Sequence, residues 1–238
     1  MARLKSAATE IAQAGEPAAP SSPDKVVEAI HRGIVANRYV PGQKLIEVDL
    51  MQALGVSRGP IREALKRLDA QGVIELTPHR GAYVRKLTRQ EAADFLEILE
   101  VLTGLIVRKA AAAAARDDRN AALVRDAFHW LEKFRDASQE ELAFLEQRGH
   151  FYDTLIAIGG NCQIDSIMPA MRIRLLRLQA QPYLTPQDRQ ARVDEYAEIT
   201  RAVLDGDEAA AQRAMRKHMK RMQQRIAGLP DDAFATRG

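Results

Sequence analysis

Arg58, Arg62 and Lys66 recur at every fourth position, which places three cations along one face of a helix. Such a face can pair with phosphates or with the acceptor edges of bases in a major groove. A second set of reactive side chains lies far along the chain. Glu146 and His150 are one helical turn apart, and His218 falls in the stripe Ala211, Met215, His218, Met222, among core residues. A carboxylate and an imidazole at that spacing, with a histidine from another helix, have the chemistry of a divalent-metal site. Each set also has a plainer account: a basic face is often just solvated, and a lone core histidine is often just hydrogen-bonded.

The segment around the cations argues for the sharper account. In the run from Leu45 to Gln71, Leu50, Leu54, Ile61, Leu65 and Leu68 supply apolar positions at helical spacing. Gly55 stands where a first helix should stop in left-handed geometry. Ser57 is placed to cap a second helix by accepting a backbone N–H, and Pro60 falls in its first turn, where a missing N–H costs little. After Gly72, residues 73–76 and 82–85 read as two strands joined by a turn carrying Pro78 and Gly81. A helix pair followed by a two-stranded wing is a winged helix-turn-helix, with His79 and Arg80 at the wing tip. Lys44-Leu45 is expected to add a short third strand, and a helix from Asp24 to about Asn37 precedes it.

The run from Pro41 to Val84, with its core VSRGPIREALKRL, resembles the DNA-binding domain of the GntR family of bacterial transcription regulators, and the resemblance as a whole extends over about 60 residues without a gap. The resemblance implies operator contacts from Ser57, Arg58, Gly59 and Arg62 on the recognition helix and from His79, Arg80 and Gly81 on the wing, with Lys66 on the same basic face. A family arginine on the preceding helix falls where this chain has Val48.

Everything beyond Lys86 reads as helical. Thr88–Glu91 and Ser138–Glu141 are capping boxes, Thr185-Pro186 and Asp207 are further starts, and a helix from Asn161 towards Gln179 should kink at Pro169. The expected organisation is a flexible tail over 1–22, a winged domain over 23–86, an all-α antiparallel bundle of about six helices over 87–228, and a C-terminal tail over 229–238. The fold class is mainly α with a small β wing. Cys162, the single cysteine, excludes an internal disulfide and is expected to be a small packed side chain.

Residues 88–225 resemble the FCD effector domain of FadR-type GntR regulators, through Glu146-x-x-x-His150, Asn161, Tyr196, Gly206-Asp207 and His218. In metal-binding members the first piece is Asp-x-x-x-His and both later positions are His. The resemblance therefore implies Glu146, His150 and His218 as ligands of one divalent ion (zinc, nickel or manganese), with Tyr196 at the remaining position. A phenol, with a pKa of about 10, is a poor ligand at neutral pH. Two outcomes stay open: a metal with an open position, or a cavity in which Glu146, His150, Tyr196 and His218 hydrogen-bond an effector. Asn161 belongs to the same set, and Arg172 and Arg174 are candidate anchors for an anionic effector. Leu99 and Thr103 stand where the family has Arg and Glu on the first effector helix.

Charge follows the same division. Basic residues outnumber acidic ones 11 to 7 over 24–86, whereas from 87 onward they stand at 22 to 23. The positive potential that attracts phosphate is thus concentrated in the winged segment. With 46% hydrophobic and 28% charged residues, no apolar run long enough to span a bilayer and no secretory leader, the chain reads as a cytoplasmic globular protein without a membrane partner.

The function these features predict is a homodimeric, sequence-specific regulator, a repressor, of double-stranded operator DNA. It would be controlled by an organic-acid effector in the bundle and would not be an enzyme. A metal-dependent hydrolase using Glu146, His150 and His218 would leave the winged domain without a purpose. An architectural DNA binder would need no buried polar groups in the bundle.

Overall fold

A computed structural model of the chain describes residues 22–135, 141–168 and 170–236, with the side chains of 141, 142, 165, 166 and 170–172 also left aside. The expected capping box at Ser138 and nearly all of the expected N-terminal tail lie outside them.

The N-terminal part opens with α1 (Ser22–Val35), which buries Val26, Ile30 and Ile34 at helical spacing. It is followed by β1 (Lys44–Leu45), α2 (Glu47–Leu54), α3 (Arg58–Ala70), β2 (Ile74–Thr77) and β3 (Gly81–Val84). Gly55 ends α2 in the left-handed conformation, φ 63°, as its position predicts. The strands form an antiparallel sheet in the order β1-β3-β2, with Leu45 opposite Ala82 and Thr77 opposite Gly81. This is the winged helix-turn-helix expected from the sequence.

Ser57 occupies the N-cap position of α3, but its hydroxyl makes no capping bond. The donors an N-cap side chain serves are the N–H groups two and three residues on. The third is Pro60, which has none.

The remainder is helical: α4 (Arg89–Ala114), α5 (Asp118–Glu132), α6 (Glu141–Gly159), α7 (Gln163–Ile167), α8 (Ala170–Ala180), α9 (Pro186–Leu204) and α10 (Glu208–Ala227). Thr88 with Glu91, and Thr185 with Asp188, form complete capping boxes, and Asp207 accepts from the Ala210 N–H. The helix expected from Asn161 to Gln179 is broken into α7 and α8 rather than kinked. Met168 turns extended, ψ 111°, because the proline that follows it disfavours helical geometry there.

Two further expectations are corrected. Cys162 is exposed, not packed. Residues 229–236, expected as a tail, fold back onto the start of α4, burying Leu229, Ala233 and Phe234. Arg89 holds them there: it donates to the carbonyls of Ala227 (2.7 Å) and Leu229 (2.8 Å) and lies 4.4 Å above the Phe234 ring.

The two parts share a wall. Leu175 and Leu178 of α8 belong to the hydrophobic core of the winged part, with Ile30, Ile34, Leu65 and Val84. Gln179, on the same helix, is buried and clasps the backbone of Leu87 in the connection, accepting from its N–H and donating to its carbonyl, both at 2.9 Å.

Candidate DNA-reading surface and effector cavity

Ser57, Arg58, Gly59, Arg62 and Lys66 are all exposed along α3, and His79, Arg80 and Gly81 are exposed at the turn between β2 and β3. Two features leave the start of α3 open. The Ser57 hydroxyl is uncommitted as a cap, and apart from the local backbone of α3 nothing lies within 4 Å of where a Cβ on Gly59 would stand. Helix N-termini carry partial positive charge and outward N–H groups that suit an anion.

An acid also faces this surface. Glu47, in the first turn of α2, accepts from Arg62 Nε through both carboxylate oxygens at 3.2 Å and lies 3.8 Å from Arg58 Nε. Sequence reasoning missed Glu47, because its link to α3 depends on how the two helices cross.

The helical part encloses a cavity of about 280 Å³ between α4, α6, α8 and α10, which Val35 at the end of α1 also lines. Leu96, Leu99 and Thr103 form one wall, and Ile173, Leu176 and Ala180 another. Arg148, Arg174, Arg177, Arg192 and His218 supply its basic groups, and Asp153 is the one acid among the lining residues. An anion with an apolar body matches such a lining.

The residues expected to hold a metal are not brought together. Glu146 and His150 are exposed, whereas His218 is buried and lines the cavity. Tyr196 is buried behind His218, with ring centroids 4.8 Å apart. The error lies in helical phase. The residues of α6 that point inward are Phe144, Leu145, Phe151, Tyr152, Leu155 and Ile156, and Arg148 lines the cavity with Leu145, Tyr152 and Ile156. Glu146 and His150, each two positions away from Arg148, look outward. The apolar stripe itself was the signal that could have fixed this.

Arg148 and Tyr152 therefore stand where the carboxylate and imidazole were expected. Arg148 Nε donates to the Tyr196 hydroxyl, and its guanidinium lies 4.5 Å above the Tyr152 ring. Burial pushes the Tyr152 phenol well above its ordinary range. A guanidinium and neutral phenols do not suit a divalent ion. Among the described residues no group of three or more His, Cys, Asp or Glu could hold one.

Asn161 is not part of the cavity wall; its side-chain oxygen accepts from the Gln163 N–H at 3.2 Å. Arg172 falls among the side chains left aside. Arg174 does line the cavity, and it donates to the Val35 carbonyl. Burial lowers its pKa, partly opposed by Glu146.

Sequence reasoning also passed over Glu195, which is 2% exposed. It accepts from His218 Nδ1 at 2.6 Å and from Arg225 and Arg221 at 2.8 and 3.3 Å. Burial alone would raise this carboxyl, but the bonds from His218 and Arg225 outweigh it and hold the group well below the usual carboxylate range. Burial pushes His218 the other way, down, against the pull of Glu195, so the imidazole is neutral at pH 7.

Comparison with known proteins agrees with this architecture. Residues 23–84 match the family model described as bacterial regulatory proteins, gntR family, and residues 94–221 match the FCD domain. The Nta operon transcriptional regulator of Aminobacter aminovorans is 28% identical over 179 residues, covering 74% of this chain and 82% of its own. The HTH-type transcriptional repressor RspR of Escherichia coli is 24% identical over 220 residues, covering 87% and 90%. The solved structure of E. coli McbR/YncC superposes with a TM-score of 0.72 at 15% identity, over 87% of this chain and 97% of that one, a likeness of fold.

Proposed function

The chain belongs to the GntR family of transcription regulators, with an FCD effector domain, and from that premise we propose that it is a homodimeric cytoplasmic repressor released or retained on its operator by an organic acid bound in the cavity. Transcription regulators of this family are not enzymes, and no hydrolytic role is assigned to Glu146, His150 or His218. No helix among the described residues is long and apolar enough to cross a membrane.

The observation that carries the proposal is the double use of α8. One set of its side chains (Ile173, Leu176, Ala180) lines the cavity, while Leu175 and Leu178 sit in the core of the winged part. A ligand that prefers one setting of α8 thereby prefers one placement of the recognition helices, and only such a difference in affinity shifts the equilibrium. Four arginines against one acid, Asp153, on the cavity wall favour an anion, and the leucine, isoleucine and methionine side chains favour an apolar body.

The test has two stages. A DNA sequence is first selected from a random pool by the full chain, and a palindromic consensus is expected, since half-site symmetry mirrors a two-fold dimer. Organic acids are then titrated into the complex at fixed salt. A shift of operator affinity of about fivefold or more by at least one acid supports the reading, and no shift by any acid would remove it.

A further inference from the structure

The two ring nitrogens of His218 have different fates. Nδ1 faces Glu195 Oε2 at 2.6 Å, and Glu195 is kept anionic by Arg225 and Arg221. A carboxylate only accepts, so the imidazole proton belongs on Nδ1 and Nε2 carries a lone pair. That Nε2 is fully buried and has no hydrogen-bond partner, on a ring that lines the cavity. A buried acceptor left unpaired is costly, so a donor that reaches it is favoured.

No neighbouring side chain supplies the donor. From α9, Tyr196 presents its ring to His218, and its hydroxyl is engaged by Arg148 Nε. From α6, Tyr152 directs its hydroxyl to Met215 Sδ at 3.7 Å, and Arg148 lies on the two tyrosine rings. From α4, the Thr103 hydroxyl donates to the Leu99 carbonyl at 2.7 Å. On α10 itself, Arg221 and Arg225 are turned to Glu195 on the Nδ1 side. Arg148 is matched to it in the complementary sense: a half-buried cation whose partners include phenols and ring faces.

We propose that the effector is a carboxylate bearing a hydroxyl next to it on an otherwise apolar body, its carboxylate accepting from Arg148 and its hydroxyl donating to His218 Nε2. This rests on the effector reading of the cavity and narrows it. An ammonium donor is disfavoured because Arg148, Arg174, Arg177 and Arg192 outnumber Asp153, the one acid on the wall. Leu96, Leu99, Ile156, Ile173 and Met222 receive the apolar part. The volume of about 280 Å³ lies at the small end of ligand pockets, which run from roughly 300 Å³ upward. Glu195 is then a positioning residue, because its charge decides which imidazole nitrogen is left bare.

Isothermal titration calorimetry of the full chain with matched acids tests this: mandelate against phenylacetate, and 2-hydroxyoctanoate against octanoate. The hydroxy member of at least one pair is expected to bind at least tenfold more tightly. A site that must pair a buried polar atom rejects the analogue lacking the matching group. His218→Leu should reduce that preference to below about twofold while the plain acid still binds. Glu195→Gln, whose carboxamide can accept from Nδ1–H or donate to a bare Nδ1, no longer fixes the tautomer; it should weaken the preference without reversing it, since a hydroxyl can also accept from Nε2–H. Circular dichroism checks that each variant is folded, and if neither folds the wild-type pairs still decide. Equal affinity within both pairs would overturn the hydroxyl assignment and leave the carboxylate effector standing. Failure of all four acids to bind would overturn it as well. The effector reading itself falls only if no organic acid alters operator affinity.

Discussion

Glu47 governs how the basic face of α3 is presented, since it holds Arg62 through both carboxylate oxygens and stands near Arg58. These groups are substantially exposed, and pairs of that kind are worth about 0–1 kcal/mol, so DNA can displace the acid at little cost. Glu47→Gln should therefore raise affinity for random DNA by less than about fivefold. It should lower the ratio of operator to random binding, because the arginines lose a fixed orientation; paired titrations at one salt concentration measure both. Arg62→Ala should weaken operator binding about tenfold or more, the loss of one specific base contact being about 1–3 kcal/mol, with an unchanged melting temperature. In the bundle, Glu195→Gln should cost about 3 kcal/mol, the scale for breaking a buried charge network. The sign with pH follows from its lowered carboxyl. Its contribution is complete above the unfolded value of about 4.3 and is lost as pH falls towards about 2. Urea unfolding of both proteins across that window should show the difference shrinking. These residues were unequally legible. The spacing of Arg58, Arg62 and Lys66 announced a basic face, whereas Glu146 and His150 misled because an i, i+4 pair says nothing about which way the helix is turned.

The elements show why. Local chemistry fixed most helix starts and stops: Thr88, Thr185 and Asp207 cap as their types predict, and Gly55 closes α2. What local chemistry could not disclose depends on distant partners. The strand-like clasp of Gln179 on Leu87 spans 92 positions, and the fold-back of Phe234 depends on Arg89. The role of α8 is of this kind, since nothing in its sequence says that Leu175 and Leu178 leave the bundle to complete another core. Leu178→Ala should cost about 2–5 kcal/mol. The loss should appear first as faster hydrogen exchange in α1, whose core it completes, rather than in α4. Gln179→Leu is the sharper test of transmission. It leaves the Leu87 N–H without its side-chain partner, at about 1–3 kcal/mol, but touches neither the cavity wall nor α3. Effector affinity and operator affinity should each persist, while the effect of one on the other declines. Persistence of full coupling in this variant would move the transmission to Leu175 and Leu178 alone.

Across the whole molecule, charge and cavity lie in different parts, with the basic excess in the winged part and the cavity in the bundle. Only shared structure joins them, and a joint of that kind has a thermodynamic consequence independent of any pathway. If an acid changes operator affinity by some factor, the operator must change the affinity of the acid by the same factor. A coupling of about 1–3 kcal/mol, or roughly 5- to 150-fold, is the usual range. The check is to measure the effector dissociation constant by calorimetry with and without saturating operator, and the operator constant with and without saturating effector. Equal factors are expected, in the sense that an acid which releases DNA binds more weakly to the DNA-bound protein. Sedimentation in the same buffers should give a species of twice 26.5 kDa both free and liganded, because the switch proposed here acts within each chain. If the acid instead halved the mass, release would follow from dissociation of the dimer, and the two factors would depend on protein concentration. Constancy of the factors over a tenfold range of concentration is therefore the result that assigns the switch to α8.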